Sequence, residues 1–207
     1  MMSKAIDRKF RLARIWSNRE LAKVGYLFEG AVVNVSAGND EDKEGNTYAV
    51  YFPNCHAYCL TNYNPGSFRG YQGREYEFLV DLNKELPNNL VGKFDVVFNH
   101  TTLEHIFDVP TAFRNICLLS RDIVIMVVPF AQIQHENDAY KDFWRFTPTC
   151  MYRLFEDNGF QVVYEAANND DNAAVYLFFI ASKYPQNWLG KMPEYTRVYP
   201  AGEWIGN

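Results

Sequence analysis

The sequence predicts an α/β fold, a three-layer sandwich around a mostly parallel seven-stranded sheet with one antiparallel strand. Three observations predict it. Short apolar runs rich in Val, Ile, Phe and Tyr recur along the chain, separated by polar or helix-patterned stretches. One of them, Asp122–Pro129 (DIVIMVVP), is nearly continuous in branched residues, as a strand buried on both faces should be. The last two runs are joined by the turn-rich connector 167–172, too short for a crossover helix, which makes them antiparallel neighbours.

Each element follows in order. Ala31–Ser36 (AVVNVS) reads as the first strand, and His56–Asn62 (HAYCLTN) as the second, stopped by the turn Asn64-Pro65-Gly66. Tyr76–Val80 is the third and ends at Asp81; Phe94–Asn99 (FDVVFN) is the fourth. Val109, Ala112, Phe113, Ile116 and Leu119 recur at helical spacing, so Val109–Leu119 is a helix leading into the fifth strand. Pro148–Asn158 is a second helix, capped by Thr147 and ended by Gly159 in the left-handed conformation. Gln161–Ala166 and Val175–Ser182 complete the sheet. Strand and helix are expected to alternate as far as the fifth strand.

The flanks differ from this core, which occupies 31–182. Residues 1–30 place Lys4, Arg8, Lys9, Arg11, Arg14, Arg19 and Lys23 around Ile6, Phe10, Ala13, Ile15, Trp16 and Leu21. That pattern suits an amphipathic helix lying on the body with a solvated basic face; a phosphate- or membrane-facing arm is the alternative. Residues 183–207 carry Pro185, Pro193, Pro200, Trp188, Tyr195, Tyr199 and Trp204 without periodicity. These aromatics need cover, either from the body or from a second subunit in a homodimer.

Composition sets further bounds. A net charge of −5 argues against a nucleic-acid partner, because a phosphate backbone needs a basic face. Aromatics make up 16% of the chain, enough to line a pocket or fill a core. Cys55, Cys59, Cys117 and Cys150 form no CxxC pair, so free thiols are expected rather than a zinc framework. No signal-peptide core and no apolar run of the ~18–20 residues a membrane span needs is visible, and a cytoplasmic location is expected.

In an open parallel sheet, ligands bind beyond the carboxyl ends of the strands, near the point where strand order reverses. The segments to inspect are therefore Ser36-Ala37-Gly38, Asn62-Tyr63, Asp81-Leu82, His100–His105 and Pro129-Phe130. Several of them form a pattern. Phe94–His105 (FDVVFNHTTLEH), Val128-Pro129-Phe130, His135, the block Asp142–Thr147 (DFWRFT) and Glu156–Phe160 occur in that order, behind a degenerate Gly-rich stretch, Val33–Gly38. The set resembles the class I, Rossmann-like S-adenosylmethionine-dependent methyltransferases over roughly residues 31–182. Within them it is similar to a subset with a VPF…H…DxWRFT block, often associated with polysaccharide and natural-product clusters.

The resemblance implies S-adenosylmethionine as cofactor, with Ser36, Ala37 and Gly38 allowing close backbone approach. It places Asn62 where the family has an acid that bonds the ribose diol. An amide keeps one acceptor and loses the charge-assisted bonds, so Asn62→Asp is expected to strengthen cofactor binding. It implies adenine contacts from Asp81 and Leu82, with Tyr63 and His100 facing the cofactor. Asp81 as a simple turn cap is the competing reading. For catalysis His135 is the candidate base, with Asp138 and Arg145 orienting it or gripping substrate; a structural pair between Asp142 and Arg145 stays open. No metal site is expected, since His100-x-x-x-Glu104-His105 matches neither HxxEH nor HExxH.

Two functions from different classes follow. One is an S-adenosylmethionine-dependent O-methyltransferase acting on a small polar or glycosyl acceptor, with a place in polysaccharide biosynthesis. The other is a non-catalytic relative that keeps the fold for binding or assembly. Asn62, the thin Gly-rich loop and Ser120-Arg121-Asp122 before the fifth strand favour the second; His135 and the Asp142–Thr147 block favour the first. A nucleotide-binding oxidoreductase is disfavoured by the missing GxGxxG.

Overall fold

The computed structural model describes residues 11–67, 69–138, 140–168 and 174–198. The readings placed on Lys4, Ile6, Arg8, Lys9 and Phe10, on Tyr199, Pro200 and Trp204, and on most of the connector before the last strand lie outside these residues.

Every predicted strand is present. They are β1 (Gly30–Val35), β2 (Cys55–Asn62), β3 (Glu77–Leu79), β4 (Phe94–His100), β5 (Ser120–Ala131), β6 (Gln161–Ala167) and β7 (Val175–Ser182). They form one sheet in the order β3-β2-β1-β4-β5-β7-β6. All pairings from β3 across to β5 are parallel. The reversed strand is β7, which lies antiparallel to both β5 and β6. It is buried along its whole length, which is why its sequence, VYLFFIAS, shows no polar alternation.

The period-two geometry of the strands sorts side chains to the two faces of the sheet. Val33, Val35, Val97, Val124, Met126 and Phe179 meet helices α2 (Val109–Leu119) and α3 (Pro148–Asp157). There Phe113 of α2 and Phe155 of α3 meet edge to face at 5.0 Å. Val32, Val96, Phe98, Ile125 and Phe178 face the other way, against helix α1 (Leu12–Val24) and Phe28.

The capping signals read from the sequence are in place. Thr147 accepts the Cys150 N–H at 3.2 Å and Gly159 has φ 76°. Thr147→Ala should lower stability by about 1 kcal/mol, read as a shift in the urea midpoint at unchanged slope.

The expected alternation of strand and helix is corrected by the structure. Among the described residues, α2 is the one α-helix between β1 and β5. The β1–β2 link is a loop with an isolated bridge between Glu41 and Thr47 and a 3₁₀ turn at Tyr48–Tyr51. Its sequence explains this: the Asp42 carboxylate accepts the N–H groups of Glu44 and Asn46, offering the backbone a turn in place of a helix. The face shared with α1 is therefore a thin layer.

Helix α1 does lie on the body, but not as a simple amphipath. It buries Ser17, Asn18 and Glu20 alongside Ala13, Leu21 and Val24. Glu20 accepts the Tyr164 hydroxyl at 2.7 Å, and Asn18 donates to the Asp42 carbonyl at 3.0 Å. The tail packs back on the same molecule as far as it is described. Trp188 stands 5.3 Å from the Phe28 ring and donates to Asp122, and the Val198 N–H donates to Glu165. Cys55, Cys59, Cys117 and Cys150 are free thiols, and no described helix is long and apolar enough to cross a membrane.

Candidate functional site

Strand order reverses between β1 and β4, and a cleft of about 1050 Å³ opens at the carboxyl ends of the strands there. Its walls hold Ser36, Ala37 and Gly38 from the loop after β1, Asn62 and Tyr63 from the end of β2, and Asp81 and Leu82 from the turn after β3. His100 closes β4, and His135 and Asp138 come from the segment after β5. The topology thus gathers in one place every site residue read from the sequence except Arg145, which stands behind the wall.

At the β1 end the backbone is held in unusual conformations. Ser36 and Gly38 have φ 57° and 59°. The loop is clamped from behind by Asn62, whose side chain is buried on β2. Its Oδ1 accepts the Gly38 N–H at 2.7 Å, while its Nδ2 donates to the Gly38 carbonyl at 3.1 Å and to Glu77 Oε1 at 2.7 Å. Arg74 completes the knot, donating to the Gly38 carbonyl and to Glu77 at 2.7 and 2.9 Å. Against the upward push of burial, Arg74, Asn62 and two backbone N–H groups hold the Glu77 carboxyl at about 2. Asn62 therefore uses its amide on the protein's own loop. Asp81 does cap its turn, accepting the Asn83 N–H at 3.0 Å, while it also borders the cleft.

Between the two ends of the cleft, Arg14 of α1 reaches the carboxyl end of β4, the central strand. It donates to the Tyr48 hydroxyl at 2.7 Å and to Thr101 Oγ1 at 3.1 Å. The His100 ring is wedged beside it, with Ser17 Oγ at 2.8 Å from Nε2 and Thr101 Oγ1 at 3.0 Å from Nδ1. Burial and the adjacent Arg14 charge keep His100 neutral, well below its ordinary value. Thr101 itself has φ 48°, the second left-handed non-glycine position at a strand end of this cleft. Arg14, one of several cations on a basic segment, carried no signal separating it from Arg11 or Arg19.

The far end is built by the segment 131–146. Asp142 organises it: its side chain is fully buried and accepts the His135 N–H at 2.7 Å. Arg145 forks onto Asp142 at 2.6 and 2.7 Å and donates to the carbonyls of Gln132 and Ile133 at 3.0 and 3.1 Å. Arg145 thus works behind His135, on the loop that carries it. The His135 ring has Nδ1 3.2 Å from Asp142 Oδ2. Its ring centroid stands 5.0 Å from that of His105, which reaches the Lys141 carbonyl through Nδ1 at 2.6 Å.

Glu104, beside them, is fully buried, and desolvation pushes its carboxyl up to about 8. Sequence reading missed the meeting of Glu104, His105 and His135, because thirty residues separate the two histidines. Phe107, Phe143 and Trp144 form an exposed aromatic group next to this end, with ring centroids 5.4 and 5.8 Å apart.

No protein-family model and no curated protein matches the sequence. Solved structures do match over most of the chain. A 1,6-didemethyltoxoflavin-N1-methyltransferase from Burkholderia thailandensis, with bound 1,6-didemethyltoxoflavin and S-adenosylhomocysteine, superposes with a TM-score of 0.57. The two chains are 16% identical, over 87% of this chain and 86% of that one. The magnesium protoporphyrin IX methyltransferase of Synechocystis PCC 6803, with bound S-adenosylmethionine, superposes with a TM-score of 0.53 at 11% identity, over 82% of this chain and 77% of that one. This chain therefore has the fold shared by these methyltransferases.

Proposed function

We propose that the protein is an S-adenosylmethionine-dependent methyltransferase acting on a hydroxyl of a small polar or glycosyl acceptor. One observation carries this reading. The small residues after β1, the acid after β3 and the histidine of the VPF…H…DxWRFT block are distant in sequence yet border one cleft at the sheet's switch point.

The donor set fits the cofactor. Ser36, Ala37 and Gly38 present a clamped backbone along one wall, Asp81 and Leu82 border the same region, and Tyr63 adds an exposed ring. These residues would hold it, with Asn62 acting through the Gly38 loop. When bound, S-adenosylmethionine supplies an electrophilic methyl group on sulfur.

The protein's own work is alignment and proton handling. Asp142 orients the His135 ring through Nδ1 and leaves Nε2 for the acceptor side. Asp138 lies on the same wall, and Arg145 fixes the loop from behind. The Phe107, Phe143 and Trp144 rings offer a stacking platform for a flat or sugar-like acceptor.

One observation favours the alternative of a non-catalytic binding module. The cofactor end lacks an α-helix after β1, and the Asn62 amide is already engaged by Gly38 and Glu77. Calorimetric titration and thermal shift with S-adenosylmethionine and S-adenosylhomocysteine separate the two readings. Binding is expected; no heat and no shift at millimolar ligand would leave only the alternative. His135→Ala should retain S-adenosylhomocysteine binding and lower methyl transfer to a panel of hydroxylated glycosides. Equal loss of both would remove it from the acceptor side.

A further inference from the structure

We propose that Glu104, His105 and His135 form a binding site for a zinc-class divalent cation at the acceptor end of the cleft. The three side chains come from two places, Glu104 and His105 from the 3₁₀ turn after β4 and His135 from the loop after β5. Yet one ligand atom from each lies within 4.8 Å of the other two. Coordination at the ~2.0–2.1 Å bond lengths of zinc needs only a modest contraction of such a set.

Two independent features point to a ligand here. The first is Glu104. Its side chain has no exposure, and neither carboxylate oxygen has a hydrogen-bond partner. A carboxylate sealed from water without a partner is costly, and such groups in native proteins are paired or coordinate metals. Its Oε1 stands 3.8 Å from His105 Nε2, and a ligand atom of His135 lies within 4.8 Å of both groups.

The second feature is the orientation of the imidazoles. His105 Nδ1 is bound to the Lys141 carbonyl at 2.6 Å. His135 Nδ1 lies 3.2 Å from Asp142 Oδ2 and 3.3 Å from the Ile133 carbonyl. In both rings an oxygen acceptor holds the proton on Nδ1, which leaves the Nε2 lone pair free. A carbonyl or carboxylate that holds the Nδ1 proton fixes the tautomer and the ring orientation with which histidine ligates a metal through Nε2.

The donor set selects the cation. Two imidazole nitrogens and one carboxylate suit zinc or a neighbouring transition metal; magnesium and calcium prefer all-oxygen sites. Three protein ligands leave a position open toward the cleft, which both histidines line. On the methyltransferase reading, an acceptor hydroxyl would take that position, where a bound cation would lower its pKa so that solvent could accept the proton, and His135 would then be a ligand in place of a base. Only that last consequence rests on the proposed function; the cation site itself does not.

The test uses the full chain without an affinity tag, stripped with chelator and dialysed. Titration with Co²⁺ should give one equivalent of binding with an intense visible absorption band, and Zn²⁺ should displace it. Glu104→Gln, His105→Ala and His135→Ala should each abolish the band and weaken Zn²⁺ binding on the order of 100-fold or more. The two histidine variants keep the test intact if Glu104→Gln fails to fold. His56→Ala and Cys150→Ser, at exposed positions elsewhere, should leave the band unchanged. The proposal is overturned if wild-type protein gives no stoichiometric band, or if the band survives in the histidine variants. Calorimetry with S-adenosylhomocysteine on the stripped protein reports the cofactor reading separately, so either idea can fail alone.

Discussion

Asn62→Asp is expected to destabilise the protein by about 3 kcal/mol or more and to weaken S-adenosylhomocysteine binding. From the sequence alone the opposite result is expected, because an acid at the end of the second strand would bond a ribose diol. The neighbourhood reverses the sign. Asn62 Nδ2 donates to Glu77 Oε1 at 2.7 Å and to the Gly38 carbonyl at 3.1 Å. An aspartate has no donor for either and sets a second carboxylate against a buried one.

The pH dependence gives a signature. Glu77 is held at about 2 in the folded chain against an ordinary value of 4.5. Its network thus strengthens the fold above pH 4.5, and that contribution is lost as the pH falls from about 4.5 towards 2. In the variant one carboxyl must take up a proton to relieve the clash. The stability gap between variant and wild type should therefore narrow on acidification. Urea denaturation across this pH range measures it, and a gap that widens would overturn the reading of Asn62 as a clamp.

Asp142→Asn should lower methyl transfer by about 100-fold while leaving S-adenosylhomocysteine affinity unchanged. The carboxylate accepts the His135 N–H at 2.7 Å and both prongs of Arg145 at 2.6 and 2.7 Å. Although burial raises its carboxyl, the Arg145 hydrogen bonds hold Asp142 below its ordinary value, so it is the anion that does this. An amide keeps the shape and loses the charge that anchors the guanidinium. Among its described residues, the segment 131–146 has no helix or strand ladder beyond Ala131 to fall back on. Hydrogen exchange should accelerate at 132–146 and stay unchanged in β1 and β4. Uniform acceleration would mean that Asp142 supports the whole fold rather than this loop.

These two residues mark where the sequence was legible and where it was not. The strands, α2 and α3 were legible because their periods and caps are local: a continuous branched run for β5, helical spacing in α2, and Thr147 with Gly159 around α3. The cleft was legible through a general rule about sheet topology together with the resemblance. The missing helix after β1 was misjudged because alternation was assumed where Asp42 instead folds its own turn. The use of Asn62 was hidden because its partners, Gly38 and Glu77, lie twenty-four residues back and fifteen residues on, on other elements. The cluster of Glu104 with both histidines was hidden for the same reason over a longer span, since contacts across loops leave no period in the chain.

The position of β7 has a consequence for how the molecule is made. It is the last strand of the sheet in chain order, yet it sits between β5 and β6 and pairs with both. During synthesis β5 and β6 emerge first and have no edge to share with each other. The parallel half and the cleft's first walls can assemble early, but β6 must wait beside an open apolar edge until Val175–Ser182 leaves the ribosome. The final assembly step is an insertion rather than an addition, and a chain cut short before Val175 presents β5 as a sticky, unpaired border.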